Sequence, residues 1–343
     1  MKHLFFPLSI CALLMVSCGA DNSKKVVLDE GVTLATATPA NSKNLYVLDE
    51  KFSSEFEGAI NNDNFVVGNR NWATWSNKTE NVVVNDGNLE ITARYEPHKS
   101  QRGADFYFTS GDIKTKELTT YGYFEARIKG ADLWPGVCPA FWLYGGLKGG
   151  NDQNEEIGTI TYSEIDIIEL QQVPSSKNML ALNLHTGAIL QNEEGKPYRQ
   201  SLKAGIIPEI CKTEFPVEWN PEDDYHVYAC ENRPDSVLFY IDGKRVGAKI
   251  NYYWHMPMTL TVSMGMRNPY ERYVAWDRYA VPATEEEAIE AGFPTTMYVD
   301  YVRSYTRDYS EFPSNKKLFD AEEANFDPAK IKAIIEKARK ENI

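Results

Sequence analysis

The sequence predicts an all-β protein, a jelly-roll sandwich, and three observations carry that prediction. From residue 44 to about 307 apolar and polar side chains alternate at the two-residue period of a pleated strand. Asn85-Asp86-Gly87-Asn88 and Asp242-Gly243 each sit between two apolar runs, the signal of a tight hairpin. The chain has 343 residues, of which 43% are hydrophobic, enough for a large core without an internal repeat or a low-complexity linker.

Taken in order, "NVVVNDGNLEITARY" is the first hairpin. "YGYFEARIKG" sets Tyr123, Glu125 and Arg127 against Phe124, Ala126 and Ile128. "LALNLHT" sets Leu180, Leu182 and Leu184 against Ala181, Asn183 and His185. "SVLFYIDGKRVG" repeats the hairpin, and "MTLTVSMGMR" sets Met258, Leu260, Val262 and Met264 against Thr259, Thr261, Ser263, Gly265 and Arg267. Two stretches read as helical. Residues 283–292 have a Thr cap, an acidic first turn and a closing Gly; residues 327–342 form a short amphipathic C-terminal helix begun by Asp327-Pro328.

Residues 1–17, with Lys2 and then an apolar run, predict a secretory signal peptide too short to span a membrane. The "MVSCG" segment resembles a bacterial lipobox, so Cys18 is the expected lipidation site. Residues 18–43 then form a lipoprotein tether, 44–310 the catalytic jelly roll and 311–343 a C-terminal extension with its helix. The expected location is the bacterial cell envelope, at the outer membrane and facing either the periplasm or the surface, with the lipid anchor as its sole membrane contact. Of the later cysteines, Cys211 and Cys230 either pair across a short loop or stay reduced, and Cys138 lies in an apolar run.

The formal charge of −13 argues against nucleic acid, which needs a basic footprint, and leaves any anion site to a local Arg cluster. The five His are scattered, and no Cys/His spacing suggests a metal. Aromatic residues reach 12%, which suits both core packing and sugar stacking.

The chemistry concentrates in "TYSEIDIIEL", residues 161–170. Glu164, Asp166 and Glu169 alternate with Ile165, Ile167 and Ile168. Acidic side chains crowded on one strand face repel, so a purely structural strand would avoid them. Glu164 and Asp166 share a face; Glu169, five positions from Glu164, should point the other way. One extra residue in a β-bulge at Ile167-Ile168 corrects the parity and gathers all three. Paired carboxylates with separated pKa values are the requirement of glycosidic bond hydrolysis, which needs no cofactor. Asp166, between the two Glu, either holds a shared proton or orients the nucleophile.

On "EIDIIE" the sequence resembles glycoside hydrolase family 16, whose signature is Glu-x-Asp-x-(x)-Glu on a concanavalin-type jelly roll with a concave substrate cleft. The resemblance implies that Glu164 is the nucleophile, Asp166 its assistant and Glu169 the acid/base, with retention of anomeric configuration. The blocks "WPGVCPAFWLYG", "NLHT", "NYYWHMPMTLTVSMGMRNP" and "EAGFPTTMYVDYVRSY" are similar to the kappa-carrageenase branch, which implies endo-cleavage of β-1,4 bonds in a sulfated red-algal galactan. A structural calcium is common in the wider family, but no ligands for one can be placed.

Substrate contacts follow from both arguments. Arg267 lies on a polar strand face and matches the Arg that the resemblance places beside a sulfate; its alternative is a surface Arg. Trp142 either floors the cleft or packs in the core, and His185 either meets sugar hydroxyls or is structural. Tyr198 and Arg199 match a loop carrying Trp and Arg in that branch, Tyr198 being a departure. Asn183, Gln172 and Trp254 complete the candidates, and Arg272 is a weaker one. The expected partner is the polysaccharide, bound by a monomer. Competing readings are hydrolysis of furcellaran, beta-carrageenan, agarose or porphyran, or a surface glycan-binding lipoprotein without catalysis.

Overall fold

The computed structural model describes residues 46–147, 155–274 and 277–341. The expected signal peptide, the expected lipidation site Cys18 and the expected tether fall outside the described residues. Two large sheets stack face to face. The nine-stranded sheet runs Pro197–Leu202, Leu184–Gln191, Ile160–Glu169, Val137–Gly146, Thr259–Met266, Asp112–Thr115 and Phe65–Val67, with Met179–Ala181 and Glu214–Pro216 beside its acidic strand. The eleven-stranded sheet centres on His226–Asn232, Gly122–Lys129, Thr295–Thr306 and Asn88–Lys99. Pairing is antiparallel throughout except where Trp75–Asn77 meets Asp105–Ser110.

Alternation places the core. Leu260, Val262, Met264, Phe141 and Leu143 from one sheet meet Phe124, Ala126 and Ile128 from the other, all buried. Both expected hairpins form, and each turn puts an Asp and a Gly at positive φ: Asp86 at 48° with Gly87 at 75°, and Asp242 at 49° with Gly243 at 74°. The helix Glu285–Ala291 has the full capping box, Thr284 with Glu287, and closes on left-handed Gly292 at φ 112°. The helix Pro328–Glu341 is begun by Asp327, whose Oδ1 accepts from the backbone N–H of Ala329 at 2.9 Å.

Three features come from packing between distant segments. The face of Tyr123 and Glu125 is not open to water. The short strand Val47–Leu48 pairs with Tyr305 and Thr306, and Tyr46, Tyr123, Tyr240 and Tyr305 form a second small buried cluster over that face. Cys138, Cys211 and Cys230 are all free and buried, so of the two alternatives Cys211 and Cys230 stay reduced, and both join the apolar packing. The C-terminal extension also enters the main core through Phe319, Phe326 and Ile331. Among the described residues no helix is long and apolar enough to cross a membrane.

Candidate active site

The acidic strand carries the expected bulge. Phe141 faces Ile168, the next residue Trp142 faces Asp166, and Ile167 is the extra residue between them. Ile165, Ile167 and Ile168 are fully buried in the core. Glu164, Asp166 and Glu169 instead line a cavity of about 690 Å³ on the outer face of the nine-stranded sheet. The neighbouring strands contribute by the same alternation: Cys138, Ala140 and Trp142 from one side, Ser263, Gly265 and Arg267 beyond them, Asn183 and His185 from the other.

Each acid has a distinct environment. Glu164 stands directly across from His185 on the next strand. His185 Nε2 lies 2.9 Å from Asp166 Oδ2. Burial and the Asp166 charge push the Glu164 carboxyl up to about 8, against the pull of His185. Burial and Glu169 likewise raise Asp166. Burial disfavours the charged His185 ring, yet Asp166 and then Glu164 outweigh it and raise the imidazole to about 9. Burial and mutual repulsion thus favour a shared proton on the Glu164–Asp166 pair, while the two acids favour the charged form of the His185 ring. One ligating atom from each of Glu164, Asp166 and His185 lies within 4.8 Å of the others, a spacing that the His185–Asp166 pair already accounts for.

Glu169 meets Arg267. Arg267 Nη2 donates to Glu169 Oε1 at 2.7 Å, Nη1 to the Met266 carbonyl at 2.9 Å, and Nε to Gln172 Oε1. Gly265 makes room for this: a Cβ there would come within 2.8 Å of Arg267 Nη1 and 3.1 Å of the Trp75 ring. The Cys138 thiol sits beneath Glu169, 3.7 Å from Oε1, and burial pushes it up out of reach of ionisation.

The structure sorts the other candidates. Trp142 is on the cleft floor, its Nε1 donating to Ser263 Oγ at 3.0 Å and its ring edge-to-face with Trp72 at 6.3 Å. Asn183 and Gln172 line the cavity. Trp254 does not reach it: the side chain is fully buried, and Nε1 donates to the carbonyls of Glu164 at 2.9 Å and His185 at 3.0 Å. Tyr198 packs against the hydrophobic core, because alternation along Pro197–Leu202 turns it away from the face that carries Arg199 and Ser201. Arg199 is exposed and close enough to Tyr144 to act on it, at the outer margin of the site. Arg272 lies along Tyr279, outside the cavity. Sequence reasoning missed Trp72, Tyr162, Lys203, Tyr273 and Arg278, all on the cavity wall. For Tyr273 and Arg278 the aromatic and cationic hairpin Glu271–Val274/Asp277–Ala280 was the visible signal; Trp72, Tyr162 and Lys203 come from other segments.

A sheet face with buried carboxylates, an aromatic floor and an Arg on the acid is an arrangement suited to polysaccharide cleavage. Residues 46–307 match the family model described as the β-porphyranase A–D domain of glycoside hydrolase family 16. The chain belongs to glycoside hydrolase family 16. It is 36% identical over 247 residues to the kappa-carrageenase of Pseudoalteromonas carrageenovora, covering 69% of this chain and 59% of that one. This chain thus spans little more than half of that relative's length. The crystal structure of that enzyme in complex with an oligotetrasaccharide of kappa-carrageenan superposes with a TM-score of 0.68 at 33% identity, over 79% of this chain and 97% of that one. The kappa-carrageenase of Zobellia galactanivorans gives 0.67 at 33% identity, over 80% and 99%.

Proposed function

We propose that this chain is an endo-acting hydrolase of β-1,4 bonds in a sulfated red-algal galactan, kappa-carrageenan above others, working with retention through a glycosyl-enzyme intermediate. The observation that carries the reading is the bulged strand, which gathers Glu164, Asp166 and Glu169 on one cleft wall. The similarity to kappa-carrageenases supports the substrate. Glu164 attacks the anomeric carbon. Asp166 takes up the shared proton, held in place by His185, so that Glu164 reacts as the anion. Glu169 donates a proton to the leaving oxygen and then activates water, oriented throughout by Arg267 and Gln172. Trp142 and Trp72 supply apolar faces for sugar rings. None of these steps calls for a cofactor, and the protein acts as a monomer.

One observation favours a second reading inside the family: the matching model is a β-porphyranase one, so porphyran is the alternative galactan. The test is a reducing-end assay on kappa-carrageenan, furcellaran, agarose, porphyran and laminarin. Anomer detection by NMR in the first minutes accompanies it. Preference for kappa-carrageenan with the β-anomer formed first supports the reading; a preference for porphyran or laminarin, or an α-anomer, overturns the corresponding part. Glu164→Ala should end turnover while oligosaccharide binding persists. The N-terminal residues support a further proposal, a lipid anchor at Cys18 that holds the enzyme on the bacterial envelope; Cys18→Ala should release it from the membrane fraction.

A further inference from the structure

Arg267 was the obvious sulfate reader, but its guanidinium is largely engaged: Nη2 on Glu169, Nη1 on the Met266 carbonyl and Nε on Gln172. Two other cations line the same cavity. Lys203 follows the edge strand Pro197–Leu202. Arg278 comes from the hairpin Glu271–Val274/Asp277–Ala280, which follows Thr259–Met266. Three strands of the sheet separate those two starting points. The hairpin therefore carries Arg278 over the face of the sheet towards Lys203.

We infer that Lys203 and Arg278 form a second anion subsite, which takes a sulfate ester of the bound glycan on the Glu164 flank of the cleft, away from Arg267. This rests on the sulfated-galactan reading above.

The hairpin root supports it. Glu271 is fully buried and accepts from Thr74 Oγ1 at 2.7 Å. Its other oxygen lies 3.5 Å from Arg278 Nη1, close enough to orient the guanidinium but too long for a strong hydrogen bond. Arg278 also lies over the Tyr273 ring at 5.1 Å, which fixes its plane. An Arg so held offers the fork of donors that suits two oxygens of a sulfate. Tyr162 and Ser201 line the same end, and their hydroxyls are 3.4 Å apart, adding neutral donors.

The electrostatics agree. Burial and then the nearness of Arg278 bring the Lys203 ammonium down to about 8, with Glu164 pulling the other way. Two like charges that face one cavity repel, and an anion between them relieves that repulsion. In a chain of net charge −13 such a convergence stands out. His185 pairs with Asp166 and Arg267 with Glu169, which leaves Glu164 as the one acid of the strand that Lys203 and Arg278 act on, one carboxyl facing two cations.

The test uses the full chain in a common Glu164→Ala background that stops turnover. Binding of a sulfated galactan tetrasaccharide and of its chemically desulfated counterpart is measured by calorimetry at two salt concentrations. It is done for the background protein, for Lys203→Met, Arg278→Gln and the double variant, and for Arg278→Lys. Circular dichroism confirms that each is folded. The expected result is a fall of about tenfold in the sulfated-to-desulfated affinity ratio in the double variant, with a shallower salt dependence and partial recovery in Arg278→Lys. A ratio that survives the double substitution overturns the inference and leaves the sulfated-galactan reading standing. A background protein with no preference for the sulfated ligand removes both.

Discussion

Arg267 Nη2 donates to Glu169 Oε1 across 2.7 Å, and the strand Val137–Gly146 lies between the two strands that carry them. The pair bridges over Cys138 and fixes the last carboxylate of the bulged strand from two strands away.

Arg267 should therefore matter to every substrate, sulfated or neutral. Arg267→Lys keeps the charge but loses the three-point hold on Glu169, Gln172 and the Met266 carbonyl. Hydrogen bonds to charged groups contribute about 1.5–3 kcal/mol, so kcat/KM should fall roughly 10- to 100-fold. The check is kcat/KM on sulfated and neutral galactans side by side. A loss confined to the sulfated polymer would assign Arg267 to the substrate instead.

His185 should set the acidic limb of the pH profile. Its positive charge opposes the upward push on Glu164 and Asp166. In His185→Ala that opposition is gone, so the pH at which Glu164 becomes the anion moves further up. For every pH unit that the limb of kcat/KM moves, activity at a fixed pH below it falls about tenfold. A limb that stays in place would disconnect His185 from the titration of Glu164.

Trp254 should behave as a structural residue. Trp254→Phe leaves two buried carbonyls, of Glu164 and His185, without their shared donor. The expected cost is about 1–3 kcal/mol, read as a lower Tm, while KM for short oligosaccharides holds. A raised KM at unchanged Tm would restore Trp254 to the cleft.

Glu125 makes stability depend on pH far from the site. Burial pushes its carboxyl up to about 8, against the pull of Arg303. The folded chain keeps a proton that the unfolded chain releases above its ordinary value of 4.5. Stability contributed at low pH is therefore lost as pH rises from about 4.5 towards 8, by about 1.4 kcal/mol per unit. Glu125→Gln should flatten that slope and raise the unfolding midpoint at pH 8. Equal slopes in urea titrations of the two proteins would count against it.

Much of this was legible in the sequence because it depends on parity and on turn chemistry. The two Asp-Gly hairpins, the Thr284 capping box and the bulge inside "EIDIIE" are all local patterns. Parity also separates Tyr198 from Arg199 within a single strand, a distinction that the family pattern had merged. What stayed hidden depends on proximity between distant segments. Nothing local says that Arg278 and Lys203 line one cavity, that Trp254 aims its N–H at the backbone carbonyls of Glu164 and His185, or that Tyr46 and Tyr305 cover Tyr123 and Glu125.

Ile167 divides the acidic strand into two phases. Before it, even-numbered residues look out into the cleft; after it, odd-numbered Glu169 does. The extra residue and the bulge therefore belong together. With Ile167 deleted, Glu169 would stand four positions from Glu164, and plain alternation would already put both on the outer face. With the residue kept but the bulge flattened into regular pairing, Glu169 would turn into the apolar interior and Ile168 would face the cleft, so at this point it is the pairing, more than the residue count, that cannot change alone.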